Sequence, residues 1–167
     1  TAGSIPVSIW KDYCEHYGVF YPLQTFSKKR AVDFSRIPVF IEGSSTEDTE
    51  CLLNVAKELT TEVYQASSDQ RKSLHLAAVF ASNFTNHMYA SAANLLKEYQ
   101  LPFKVLLPLI DETAQKVHYL NPKEAQTGPA ARNDRKVMEE HLNMLASFPS
   151  LHYLYKEMSD SILNSKK

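Results

Sequence analysis

The sequence predicts a chain in two parts: a portion of a sheet with its covering helices over residues 1–66, then an all-helical domain over residues 67–167. Three observations carry this. Short runs rich in β-branched and aromatic residues, VFYPLQTF, IPVFI and EVYQA, alternate with amphipathic stretches as far as Ala66. No comparable run follows Ala66. Residues 67–100, SSDQRKSLHLAAVFASNFTNHMYASAANLLKEYQ, read instead as one long helix around which the rest is organised.

Taken in order, Thr1-Ala2-Gly3-Ser4 is a small-residue turn. Ser4 is placed to cap a helix with Pro6 in its first turn, running through Ile9, Trp10 and Tyr13 to Gly18. Val19 to Phe26 reads as a strand in which Pro22 marks an edge, a bulge or an end. Lys28-Lys29-Arg30 falls in the next loop, where a phosphate site and a solvated turn are both open readings. Ile37 to Ile41 is a second strand and Glu62 to Ala66 a third. Between them Thr46 to Leu59 forms a helix with Leu52, Leu53, Val55, Ala56 and Leu59 on its apolar side. Three short strands with two helices leave much of a sheet uncovered. A partner segment is therefore expected, from another chain or from sequence preceding Thr1.

The long helix starts on a capping box, Ser67 with Gln70, and Pro102 limits its extent. It would span about 45 Å. From Ser73 to Leu96 it holds no Asp, Glu, Lys or Arg. On a helical wheel His75, Ser82, Asn83, Asn86, His87 and Asn94 occupy a sector of roughly 140°. Ala77, Ala81, Phe84, Met88, Ala92 and Leu95 lie opposite and are expected to pack in a core. Neutral hydrogen-bonding groups on the first face suit a cleft or a polar interface; the alternative is that they satisfy one another inside a bundle. So many polar groups make membrane insertion costly. Pro102 then opens a helix over Phe103 to Leu120 that Pro108 kinks or breaks. Asn121-Pro122 starts a short helical turn ending at Gly128-Pro129, and Asn133 or Asp134 caps a helix to about Ala146. Pro149 opens the last helix, with Leu151, Leu154, Tyr155, Met158 and Ile162.

Composition narrows the chemistry. Hydrophobic residues make up 44% of the chain, enough for a core rather than disorder. A net charge of -1 gives no electrostatic case for nucleic acid or an anionic membrane. Cys14 and Cys51 form no CxxC pair and read as inert core thiols, which favours a reducing, cytoplasmic setting. The absence of an initiating Met suggests a processed chain, a cleaved one or a fragment. The four glycines are too scattered for GxGxxG or a P-loop, so there is no nucleotide fingerprint. His75 and His87 lie about 18 Å apart along a helix and cannot share an ion, so no metal is expected. Acid–base work or polar recognition remains. His75, Asn83 and His87 are candidates to line a pocket in which an imidazole moves a proton near neutral pH. Asn86 on the same stripe, and Tyr21 and Gln24 at a strand end, are candidate substrate contacts. Arg132, in the loop TGPAARND, suits a bidentate grip on a carboxylate or phosphate, or an ordinary salt bridge.

Three stretches carry a resemblance: GVFYPLQTF with RIPVFIEG, HLAAVFASNFTNHMY, and PKEAQTGPAARND with the following His141-Leu142. Together they resemble bacterial Rossmann-like NAD(P) oxidoreductases in which an uncharacterised helical domain follows the nucleotide-binding domain, over residues 1–165. More distantly the layout is similar to pyrroline-carboxylate reductase, ketopantoate reductase and the β-hydroxyacid dehydrogenases, with a helical domain like the C-terminal one of 6-phosphogluconate dehydrogenase. The resemblance implies a partial Rossmann-like half-sheet here, and a glycine-rich strand–turn–helix for the dinucleotide ahead of Thr1. NAD(P) is then the cofactor of the longer protein, with none held by this chain alone. Ala2, Gly3 and Ser4 become the turn beside the nicotinamide. A small-molecule substrate and a homodimer through the helical domain follow on the same ground. The β-hydroxyacid relatives place Lys and Asn one turn apart on the long helix. Here the stripe reads His75, Val79, Asn83, His87, without that Lys, so His75 and Asn83 are carried over as proton-transfer and substrate-orienting groups. A non-enzymatic helical dimerisation or sensor module is the alternative.

Overall fold

The computed structural model describes residues 3–165. β1 (Gly18–Pro22), β2 (Val39–Gly43) and β3 (Val63–Gln65) make one mixed sheet in the order β1-β2-β3. β1 is antiparallel to β2, with Phe20 opposite Ile41 and Tyr21 opposite Phe40, while β3 is parallel, with Val39 opposite Val63. Side chains alternate along a strand, so this register sorts them onto two faces. Phe20, Val39, Ile41 and Val63 share one face, against which α1 (Thr46–Lys57) sets Leu52, Leu53 and Ala56. Val39, Ile41 and Ala56 are fully buried there, each aliphatic strand residue contributing about 1.5–3 kcal/mol. Ser45 caps α1 by accepting from the Asp48 amide, with Glu47 and Asp48 in the first turn where the helix dipole favours them. Val19, Tyr21, Phe40, Glu42 and Tyr64 take the opposite face, and Phe40 stacks on Tyr64 with centroids 5.2 Å apart.

That second face meets the start of the long helix. α2 (Ser68–Ala78) opens on the expected capping box: Gln70 N–H donates to Ser67 Oγ at 3.3 Å, and Ser67 N–H donates to Gln70 Oε1 at 2.9 Å. One turn in, Arg71 is completely buried. Its Nη2 donates to Glu42 Oε2 at 2.5 Å and to Ser68 Oγ at 3.1 Å. Its Nη1 donates to the carbonyl oxygens of Ile5 at 2.9 Å and Gly3 at 3.5 Å. Ser68 completes the cluster, donating through its amide and hydroxyl to the Glu42 carboxylate at 2.9 and 2.7 Å and accepting from Val7 N–H at 3.0 Å. One guanidinium thus joins the N-terminal segment, β2 and α2.

Several elements differ from the sequence reading. The helix expected up to Gly18 is a single 3-10 turn, Val7–Trp10, with Pro6 rather than Ser4 at its N-cap. Ile9, Trp10 and Tyr13 stay exposed, and a short helix with nothing against its apolar side does not propagate. β1 stops at Pro22 rather than Phe26 because proline offers no N–H to continue the ladder. Cys14 and Cys51 are both exposed, not core thiols. The long helix is not uniform: α2 passes through a π-helical turn, Val79–Phe84, before α3 (Thr85–Glu98). The Thr85 hydroxyl donates to the Phe80 carbonyl five residues back, at 3.1 Å. The apolar face expected in a core is open over its first half, where Ala77, Ala81 and Phe84 are exposed; Met88, Ala92 and Leu95 are half-buried.

The described residues fall into two compact units, divided between Met88 and Tyr89. Among them no strand follows β3. In the second unit Pro102 caps a 3-10 turn, Phe103–Leu106, and Pro108 lies in the first turn of α4 (Leu107–Lys116), so the break falls just ahead of the proline. Asn121 caps the short α5 (Pro122–Ala125). After a 3-10 turn at Ala130–Arg132, Asn133 takes the left-handed conformation and Asp134 caps α6 (Arg135–Met144), accepting from Val137 N–H at 3.3 Å. α7 (Pro149–Asn164) presents Tyr155 to His141, hydroxyl and Nδ1 2.9 Å apart. Within each unit some large apolar side chains stay open, Leu76 and Phe80 in the first and Leu109 and Tyr153 in the second, each at least 60% exposed.

Burial alone would raise the Glu42 carboxyl, but hydrogen bonds from Arg71 and Ser68 outweigh it and hold its pKa below the ordinary value. A depressed folded pKa contributes stability that is complete at neutral pH and is lost as pH falls through it. We predict that Glu42→Gln, which leaves the Arg71 charge without its counter-ion, costs about 3–5 kcal/mol at pH 7. Urea unfolding at pH 7 and pH 3 should show the wild type losing more stability across that interval than the variant. Equal losses would contradict this.

Candidate functional site

The geometry that pairs Glu42 with Arg71 also sets up a second pair. Tyr21 lies on the same sheet face as Glu42, and His75 lies one helical turn beyond Arg71. The Tyr21 hydroxyl and His75 Nδ1 are accordingly 3.5 Å apart. Gly3 sits against both: a Cβ there would come within 2.8 Å of Tyr21 Cζ and 3.1 Å of His75 Cβ. Any larger residue there would have to move the Tyr21 ring tip. Burial pushes the Tyr21 phenol up from its ordinary pKa, the Arg71 charge pulling against it. The phenol therefore keeps its proton at neutral pH, and which of the two partners donates follows from the imidazole tautomer.

These residues open onto a cleft of about 560 Å³. Tyr21, Gln24 and Thr25 line it from the end of β1, and His75, Ser82 and Asn83 from the helix, with Leu74, Ala78 and Val79 between them. A largely apolar wall carrying a few polar groups is the make-up of a small-molecule site. Four of the residues singled out in the sequence, Tyr21, Gln24, His75 and Asn83, meet here. Asn86 and His87 do not line the cleft and are exposed on α3. The π turn explains the difference, since its extra residue rotates the downstream helix by about 100° from an unbroken α-helix. Arg132 is exposed on a 3-10 turn of the second unit. Ser4 is exposed, Gly3 is buried at the Tyr21–His75 pair, and Ala2 lies outside the described residues. Sequence reasoning missed Thr25 and, more seriously, Arg71. A signal existed for the latter: a lone acid within a strand, Glu42, and a base in the first turn of a helix that carries no charge from Ser73 to Leu96. Among the described residues no three His, Cys, Asp or Glu side chains gather as a metal site would require.

A sheet of this topology with a tyrosine–histidine cleft beside a long helix finds its family in comparison with known proteins. Residues 37–162 match the domain of unknown function DUF2520, and the chain belongs to that family. Of solved structures, a candidate NADP oxidoreductase from Bacteroides fragilis is 63% identical, with a TM-score of 0.94 over 98% of this chain. The chain spans 63% of that protein's length. A protein from Thermotoga maritima shares the fold at 23% identity, with a TM-score of 0.79 over 98% of this chain and 67% of its own. No curated protein matches. The kinship with Rossmann-like NAD(P) oxidoreductases expected from the sequence holds, and the mixed sheet agrees with part of such a fold.

A dinucleotide needs a glycine turn open to its pyrophosphate, and the glycines here do not fit that role. Gly3 is closed in by Tyr21 and His75, Gly18 by Leu52 and the Glu42 carbonyl, and Gly43 by Thr49. Gly128 has open space but stands alone in a turn with positive φ. Among the described residues, no glycine turn is open in the way a pyrophosphate cradle requires.

Gly3→Ala should displace the Tyr21 ring tip, which is free to yield, at a stability cost of about 1 kcal/mol. We expect the His75 imidazole resonances to shift in this variant in the same sense as in Tyr21→Phe. Unmoved His75 resonances in both variants would show that the pair does not form in solution.

Proposed function

We propose that this chain is the substrate-side portion of an NAD(P)-dependent oxidoreductase acting on a small polar molecule held in the Tyr21–His75 cleft. The observation that carries the reading is the convergence of Tyr21, Gln24, His75 and Asn83, drawn from opposite ends of the first unit, on one cleft of about 560 Å³. The name of the Bacteroides fragilis relative supports the reaction class. The dinucleotide belongs to the part of the longer protein that this chain does not span, with Gly3 and Ser4 as the turn nearest its nicotinamide. In this reading His75 Nε2 gives or takes the substrate proton, while Tyr21 holds the ring through Nδ1 and fixes its tautomer. The Asn83 and Gln24 amides orient the substrate, and the apolar wall excludes water. His87, Asn86 and Arg132 act at most beyond this cleft. The helical region is proposed as a bundle like the C-terminal domain of 6-phosphogluconate dehydrogenase, dimerising with a second copy.

A second reading is an assembly or sensor module without catalysis. The exposed Leu76 and Phe80, on the stretch from Ser73 to Leu96 that carries no charge, favour it, because such a face gains by being covered. The two readings part on one set of variants. In the longer protein, His75→Ala and Asn83→Ala should keep the fold and the oligomeric state but lower NADPH-dependent turnover by about 100-fold or more for His75, the scale of a general acid–base group. Loss of the oligomer with no effect on turnover would favour assembly. Calorimetry on the 167-residue chain should detect no tight NADPH binding; tight binding would overturn the proposed division of labour.

A further inference from the structure

A second cavity, of about 620 Å³, opens on the loop between β1 and β2. Arg30 and Arg36 line it together with Thr25, Ser27 and Asp33. Neither guanidinium makes a direct ion pair or hydrogen bond among the described residues and both are exposed, although Arg36 interacts at longer range with the Asp33 carboxylate. Asp33 offsets one of the two positive charges, and its carboxylate also accepts from the Ser35 amide at 3.1 Å and the Ser35 hydroxyl at 2.6 Å. The peptide N–H groups of Ala31 and Val32, also along the cavity, donate to no described residue. Two cationic forks, one occupied carboxylate and unpaired amides leave a net positive pocket rich in donors and short of acceptors.

We propose that this loop cavity binds the phosphate group of a small phosphorylated molecule between Arg30 and Arg36. Planar guanidinium groups match phosphate oxygens through paired, charge-assisted hydrogen bonds. A dianion answers the charge of the pair better than a single carboxylate does. The cavity is larger than a bare phosphate, so the rest of a ligand has room beside it. Gln24 and Thr25 line both this cavity and the Tyr21–His75 cleft, which makes them the border between the two. The proposal does not depend on His75 chemistry: the phosphate site stands if that cleft proves inert.

Calorimetric titration of the 167-residue chain with inorganic phosphate, and with acetate at matched ionic strength, tests it. Phosphate should bind saturably below about 10 mM and acetate about tenfold more weakly or worse. Arg30→Gln and Arg36→Gln should each weaken phosphate binding by about tenfold or more. Arg36→Lys, which keeps the charge but removes the fork, should weaken it measurably. Lys28→Gln, on the same loop but outside the cavity lining, should change it less than about twofold. Circular dichroism checks that these surface variants stay folded. Absence of saturable binding, indifference to both arginine substitutions, or an equal loss in Lys28→Gln would overturn the proposal.

Discussion

A buried cation fixes where the N-terminal segment, the sheet and the long helix stand in the first unit of this protein. Removing a guanidinium from water costs several kcal/mol, and only a nearly complete shell of acceptors makes such burial tolerable. Glu42 supplies the counter-charge, Ser68 bridges the two, and the carbonyl oxygens of Gly3 and Ile5 take what remains. Nε alone has no partner among the described residues. The acceptors come from the N-terminal segment, β2 and α2, so a displacement of any one of these leaves charge exposed to an apolar interior. The cluster therefore specifies position more than it adds stability.

The cleft inherits its geometry from that clamp. Tyr21 and Glu42 share a face because strands alternate with a period of two, and Arg71 and His75 share one because a helix repeats at four. Two periodicities fastened at Glu42–Arg71 bring Tyr21 and His75 together one step further along, and Gly3, held by Arg71, closes over them. The π turn then limits how much of the polar stripe joins in, carrying Asn83 into the cleft and Asn86 past it. The result is an imidazole whose Nδ1 lies 3.5 Å from the Tyr21 hydroxyl and whose Nε2 has no partner among the described residues, at an apolar-walled opening.

Much of this was legible in the sequence where a local rule decides the outcome. The capping box at Ser67, the proline-defined starts near Pro102 and Pro149, and the three strands all depend on neighbours within a few residues. The errors arise where tertiary context decides. The segment after Pro6 has helical periodicity but nothing to pack against, and it remains a single 3-10 turn. Ala77, Ala81 and Phe84 read as core because a wheel assumes both that a partner exists and that the helix keeps one pitch. Arg71 went unremarked because its pairing with Glu42 spans 29 residues, beyond the reach of a local rule. His75 and Asn83 were recoverable because uncharged polar groups on a stretch without charge need a reason, and Tyr21 and Gln24 because they stand at a strand end.

The direct test is whether the clamp holds the cleft together. Nuclear Overhauser contacts between the Tyr21 ring and the His75 β-protons should be present in the wild-type chain. They should disappear in Arg71→Met, while the contacts between His141 and Tyr155 in the second unit persist. Retention of the Tyr21–His75 contacts in Arg71→Met would show that the cleft forms without the buried cation.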